Sequence, residues 1–168
     1  KEGIIERIKR GVYRSTEKIL ENEIIEVSKL IPNGVFCLET ALEYYDLSTN
    51  VPYEYKIAIP IKSKVKIPDY PPIKIIYFPD KTYNLGISEK EIDGNIIKIY
   101  DMEKTICDIA RYRNKIGQDI FTESLKEYMK KNDRDIKKLI NYSKTTNTYN
   151  ILKDYLDVLI WLKILKLL

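Results

Sequence analysis

The sequence predicts an α+β domain in which a mixed or antiparallel central sheet is followed by a helical C-terminal bundle. Three observations carry this. Short runs rich in isoleucine and tyrosine crowd the middle of the chain, between residues 53 and 100, and suit strands. After Gly117 the apolar residues recur at helical spacing to the end. Strands therefore cluster and helices follow, without the regular alternation of a βαβ protein. A chain of 168 residues is long enough to bury one ordinary core.

The elements follow in order. Gly3 to Arg14 alternates apolar and charged residues and predicts a basic hairpin, with Ile4, Ile8 and Val12 packing while Arg7, Lys9, Arg10 and Arg14 face water. Such a hairpin has the look of the wing of a winged helix-turn-helix, whose cations lie against phosphates. Ser15 or Thr16 then caps a helix carrying Ile19, Leu20, Ile24, Val27 and Leu30, ended by Asn33-Gly34. The run Val35 to Leu38 leads into a second helix through Thr40, Ala41, Leu42 and Tyr45, and a polar loop follows from Asp46 to Pro52. Tyr53, Tyr55, Ile57 and Ile59 alternate with Glu54, Lys56 and Ala58 in an amphipathic strand stopped by Pro60.

Ile61 to Pro72 is a lysine- and proline-rich connection with Lys62, Lys64 and Lys66 at alternate positions, rigid and exposed by composition. Ile73 to Phe78 is the most strand-like run, and a shorter strand is expected from Thr82 to Ile87. Ser88-Glu89-Lys90-Glu91 fits a capping box for a brief helical turn. Asp93-Gly94-Asn95 marks a tight turn before the strand Ile96 to Tyr100. Asp101 is placed to cap a helix whose buried stripe is Met102, Ile106, Ile109 and Ala110. Lys104, Asp108, Arg111 and Lys115 then fall on its other face, expected to be solvated, and Gly117 takes a left-handed turn at its end. Three more amphipathic helices follow, through Phe121 and Leu125, through Leu139 and Ile140, and through Leu152, Leu156 and Ile164.

Composition narrows the function. No histidine occurs, so a Ser-His-Asp or Cys-His nucleophile, a histidine base and most catalytic zinc sites are beyond this chain alone. Neither common glycine-rich phosphate loop is present. The net charge of +4 permits nucleic-acid contact without demanding it, and residues 1–18 hold six basic side chains against three acidic ones. Cys37 and Cys107 sit among apolar residues and read as reduced core positions in a reducing compartment. No signal peptide is evident, and no apolar run reaches the roughly 18 residues of a membrane span, so a cytoplasmic location is expected. The first residue is Lys1 rather than methionine, which suggests that the natural protein begins earlier.

Two constellations carry possible chemistry. Asp46 with Glu54 and Lys56 has the residue types of a magnesium-dependent nuclease, two carboxylates for the metal and a lysine for the scissile phosphate, although Glu-x-Lys arises readily on any charged strand. Asp108 pairs by spacing with Arg111 at i+3 or accepts a hydrogen bond from Tyr112 at i+4, or else joins Lys104 and Arg113 in a polar cleft able to bind a nucleotide phosphate or an acidic partner surface.

Across this order of residues the chain resembles the AbiEi-type antitoxins of type IV toxin-antitoxin, or abortive infection, systems. Arg10-Gly11-Val12-Tyr13 is similar to the end of the family's N-terminal winged helix-turn-helix, and Gly34 to Leu47 to its strand and helix. Pro71-Pro72-Ile73, Gly86-Ile87, Lys98 to Asp108 and Tyr112-Arg113-Asn114-Lys115-Ile116-Gly117 follow its most recognisable pattern. The resemblance implies that residues 1–14 are the wing remnant of a winged helix-turn-helix, the helices that precede the wing in the family, including the recognition helix, being absent from this sequence, and that 15–168 are the C-terminal antitoxin domain. It further implies a non-enzymatic protein without cofactor or metal. Such a protein represses its own operon through the N-terminal domain and counteracts a nucleotidyltransferase toxin indirectly, without a stable complex. Arg7, Lys9, Arg10 and Arg14 are then the nucleic-acid contacts, and Lys104, Asp108, Arg111, Arg113 and Lys115 the candidate antitoxicity surface. A metal-dependent nuclease using Asp46, Glu54 and Lys56, and a stand-alone transcriptional regulator, are the alternatives.

Overall fold

A computed structural model describes the backbone of residues 5–9, 12–15 and 22–165, and the side chains of residues 22–158. The chain is α+β, with a five-stranded mixed sheet and its longer helices gathered at the C-terminal end. Strands β1 (Ile5–Lys9) and β2 (Val12–Ser15) pair antiparallel as a separate hairpin. The expected basic hairpin is thus present as backbone. The side chains of Arg7, Lys9 and Arg14, and the whole of Arg10, lie outside the described residues. Ser15 belongs to β2 and so does not cap the next helix. That helix, α1 (Glu23–Leu30), begins after Asn22, while Thr16, Ile19 and Leu20 are outside the described residues.

The main sheet runs in the order β5-β4-β3-β7-β6. Its centre is the two-residue strand β3 (Val35–Phe36), antiparallel to β4 (Tyr55–Pro60) and parallel to β7 (Asn95–Tyr100). Between β3 and β4 lies helix α2 (Leu38–Tyr44). Strand β5 (Ile73–Phe78) runs parallel to β4 along one edge, and β6 (Ile87–Ile92) pairs antiparallel with β7 along the other. Two expectations between β5 and β7 are reversed. The short helix α3 (Asp80–Tyr83) takes in Thr82 and Tyr83, where a strand from Thr82 to Ile87 was predicted, leaving only Ile87 in a strand, and Ser88 to Glu91 lies inside β6 where a helical turn was predicted. The hairpin decides the second case. Asp93 (φ 49°) and Gly94 (φ 75°) both take positive φ between the paired residues Ile92 and Asn95, a two-residue turn that draws the preceding segment into register with β7. Six residues of ladder outweigh a local capping preference.

Alternation along the strands divides the core into two. Ile57 and Ile59 of β4, Ile97 and Ile99 of β7 and Phe36 of β3 pack with Val27, Leu30 and Ile31 of α1 and its exit. Ala58, Phe78, Val35 and Tyr100 face the opposite way, onto the helical layer. That layer is α4 (Met102–Ile116), α5 (Gln118–Lys130), α6 (Ile136–Thr145) and α7 (Tyr149–Leu165). Helix α4 lies at its centre, since Ile106, Ile109 and Ala110 meet Phe121, Leu125, Leu139 and Leu152 in one apolar cluster. Each such fully buried aliphatic side chain stabilises the fold by about 1.5–3 kcal/mol. Cys37 and Cys107 are free thiols in this interior, as expected. At the turn from α4 to α5, Gly117 has φ 129° and ψ 135°, a positive-φ conformation outside the left-handed helical region that the sequence suggested. Among the described residues no helix is long and apolar enough to cross a membrane.

Candidate functional site

Helix α4 is positioned from its first residue. The Asp101 carboxylate accepts from the Lys104 backbone N–H at 2.8 Å, the cap that the sequence called for, and also meets Lys138 Nζ from α6 at 3.0 Å. Thr105 Oγ1 donates back to the Asp101 carbonyl at 2.8 Å. Beside the cap, Gly86 (φ 74°) brings the β6 entry so close that a Cβ there would stand 2.7 Å from Lys104 Cβ. Asp101 N–H donates to its carbonyl at 2.8 Å.

The solvated face expected for Lys104 and Asp108 does not exist. Lys104 is 0% and Asp108 2% exposed, and Lys104 Nζ donates to Asp108 Oδ2 at 2.5 Å. The ammonium also lies 4.2 Å from the Tyr100 ring centroid and 4.5 Å from that of Phe78. Helical spacing cannot separate a solvated i,i+4 pair from an enclosed one. Here the sheet supplies two aromatic faces that cover the cation. Burial pushes the Asp108 carboxyl up to about 6, against the opposing pull of Lys104 and the more distant Arg111. Burial also raises the Cys37 thiol well above its ordinary range and the Cys107 thiol to about 12, so neither is a nucleophile at neutral pH.

A second buried acid on α4 went unnoticed in the sequence. Glu103 accepts from Tyr128 Oη of α5 at 3.0 Å and from Asp135 N–H at 3.0 Å, and Lys138 Nζ stands 3.4 Å from its other oxygen. It ties α4 to the next two helices. No signal marks it, because its partners are more than twenty residues away and Tyr128 reads simply as part of an apolar face. Burial works against the Lys138 cation, but its hydrogen bond and charge contacts with Asp101 and Glu103 leave its pKa raised overall.

The far end of α4 differs. Arg111 and Lys115 are exposed, and Arg113 is half-buried with its guanidinium donating to the Ala110 carbonyl at 2.9 Å. Lys115 Nζ lies 5.8 Å from the Tyr112 ring centroid. The five residues singled out therefore separate into an enclosed pair, Lys104 and Asp108, and a cationic tip of Arg111, Arg113 and Lys115. Only the tip can meet a macromolecule without opening the core.

Of the nuclease constellation, Lys56 lies on β4, Glu54 just before it and Asp46 just after α2. Lys56 Nζ is held by Glu54 at 2.5 Å and approached by Glu39 at 3.9 Å, while Asp46 is exposed in the turn after α2 with φ 51°. Among the described residues no three His, Cys, Asp or Glu side chains come together in a group able to hold a metal ion. Glu123 of α5 instead organises the polar loop after Leu47, accepting from Ser48 Oγ at 2.8 Å and from Thr49 N–H at 3.0 Å. No protein-family model matches the chain, and no curated protein matches it.

Proposed function

We propose that the chain is the antitoxicity portion of an AbiEi-type antitoxin of a type IV toxin-antitoxin system, acting through the cationic tip of α4. The observation that carries the reading is the ordered resemblance of Lys98 to Asp108 and of Tyr112 to Gly117. Both lie on one continuous piece of the fold, strand β7, the Asp101 cap and helix α4. Its apolar and enclosed residues maintain that unit, and Arg113 and Lys115, which belong to the resemblance, stand with the neighbouring Arg111 at the accessible tip. On this reading the full-length protein represses its own operon through a winged helix-turn-helix to which β1 and β2 belong. It neutralises a nucleotidyltransferase toxin without a lasting complex.

Co-expression with the nucleotidyltransferase encoded beside its gene tests the antitoxin role. The wild-type chain restores growth, and the combined variant Arg111→Glu, Arg113→Glu, Lys115→Glu loses rescue while its thermal unfolding stays that of the wild type. Full rescue by the variant removes the tip from the mechanism, and absence of rescue by the wild type removes the antitoxin reading itself.

A further inference from the structure

The open edge of β5 is not explained by that reading. Two bonds fix which way its backbone faces: Tyr55 N–H donates to the Pro72 carbonyl at 2.8 Å and Ile61 N–H to the Phe78 carbonyl at 3.0 Å. In a parallel ladder this parity repeats every second residue. Lys74 and Ile76 thus turn their peptide groups toward β4, and Ile73, Ile75 and Tyr77 turn theirs to the edge, where the sheet ends. Among the described residues no strand pairs with this edge, and an edge of three outward-facing residues is a template for a further strand unless it is shielded.

The surroundings are basic and partly apolar. Because β4 and β5 are parallel, the chain from Pro60 to Ile73 must run back the length of both strands, and Val65 places it on the sheet face shared with Ile73 and Ile75. Along it Lys62, Lys64 and Lys66 are exposed, as are Ile61, Ile67 and Tyr70, and on β5 itself Lys74 and Tyr77. Between residues 61 and 83 there are five lysines against two aspartates. The opposite edge, β6, carries the exposed acids Glu89 and Glu91 and offers no such complement.

We infer that the β5 edge is a docking site for an extended acidic segment of a partner protein, which adds a sixth strand to the sheet. Main-chain bonds to Ile73, Ile75 and Tyr77 provide the pairing, and the lysines of the connection and of β5 select acidic side chains. A nucleic acid fits the charge but has no backbone able to continue the ladder, and a second copy would bring lysine against lysine.

An array of synthetic ten-residue peptides, probed with the full chain, tests this. The selected peptides are expected to combine Asp or Glu with β-branched residues. Titration of ¹⁵N-labelled protein with the tightest of them slows amide hydrogen exchange at Ile73, Ile75 and Tyr77. N-methylation of alternate peptide residues abolishes binding. Lys64→Glu with Lys74→Glu, both at exposed positions, weakens binding about tenfold at low salt while circular dichroism is unchanged. Selection indifferent to charge, binding without protection of those three amides, stronger binding of single-stranded oligonucleotides, or a dimer in sedimentation that protects the same amides would each overturn the proposal.

Discussion

The two halves of α4 use the same kinds of residue to opposite ends. In the first half Glu103, Lys104 and Asp108 are enclosed, and each finds its complement within the molecule. In the second half Arg111 and Lys115 are equally charged and stand in water. What separates them is enclosure: the sheet on one side and helices α5 and α6 on the other close over every residue from Met102 to Ala110, whereas beyond it Tyr112 and Ile116 still pack inward and Arg111, Asn114 and Lys115 are exposed. A charge on the covered half is part of the fold, and a charge on the bare half is free for a partner.

Breaking the enclosed pair gives the largest effect. Lys104→Met leaves Asp108 buried without its counter-ion and is expected to cost about 3–5 kcal/mol in urea denaturation. The double change Lys104→Met, Asp108→Leu should recover most of that loss, since two apolar side chains of similar size need no ionic partner. Failure of the double variant to recover would mean that the pair also specifies packing. Tyr128→Phe comes next, at about 1–2 kcal/mol, because Glu103 loses one donor but keeps Asp135 N–H and Lys138.

Acidity gives a smaller, signed test. With its folded pKa raised from 3.8 to about 6, Asp108 holds a proton more tightly in the folded chain than in the unfolded one. Its contribution to stability is therefore fully present below about pH 4 and is lost as pH rises through about 6. The difference in urea midpoint between wild type and Asp108→Asn should change across that window and level off above it. A difference that is flat from pH 4 to 7 would show that the carboxyl titrates normally. Smallest for the fold are Arg111→Glu and Lys115→Glu, expected within about 0.5 kcal/mol of wild type. Their effect belongs in the rescue assay, and a loss of stability as large as that of Lys104→Met would erase the distinction between the halves.

Much of this architecture was legible in the sequence where local chemistry and tertiary structure agree. The Asp101 cap, the Asp93-Gly94 turn, strand β5 and the four C-terminal helices follow from residue type and period. Ser88 to Glu91 was misread because its local preferences are weak and pairing with β7 overrides them. The candidate site was legible in membership but not in depth. Lys104 and Asp108 have the spacing of a surface pair, and only Phe78 and Tyr100, brought in by strands distant in sequence or preceding the cap, make them interior. Glu103 illustrates the limit: all its partners arrive through helix packing.

The central strand has an entropic consequence. Two residues, Val35 and Phe36, join the β4–β5 pair to the β7–β6 hairpin, and the link to β7 spans from Phe36 to Ile99. Each flanking unit assembles from nearby chain, whereas their union must close a loop of more than sixty residues for very few ladder bonds. Joining the two halves of the sheet is accordingly the pairing that carries the largest loop-closure cost in the sheet.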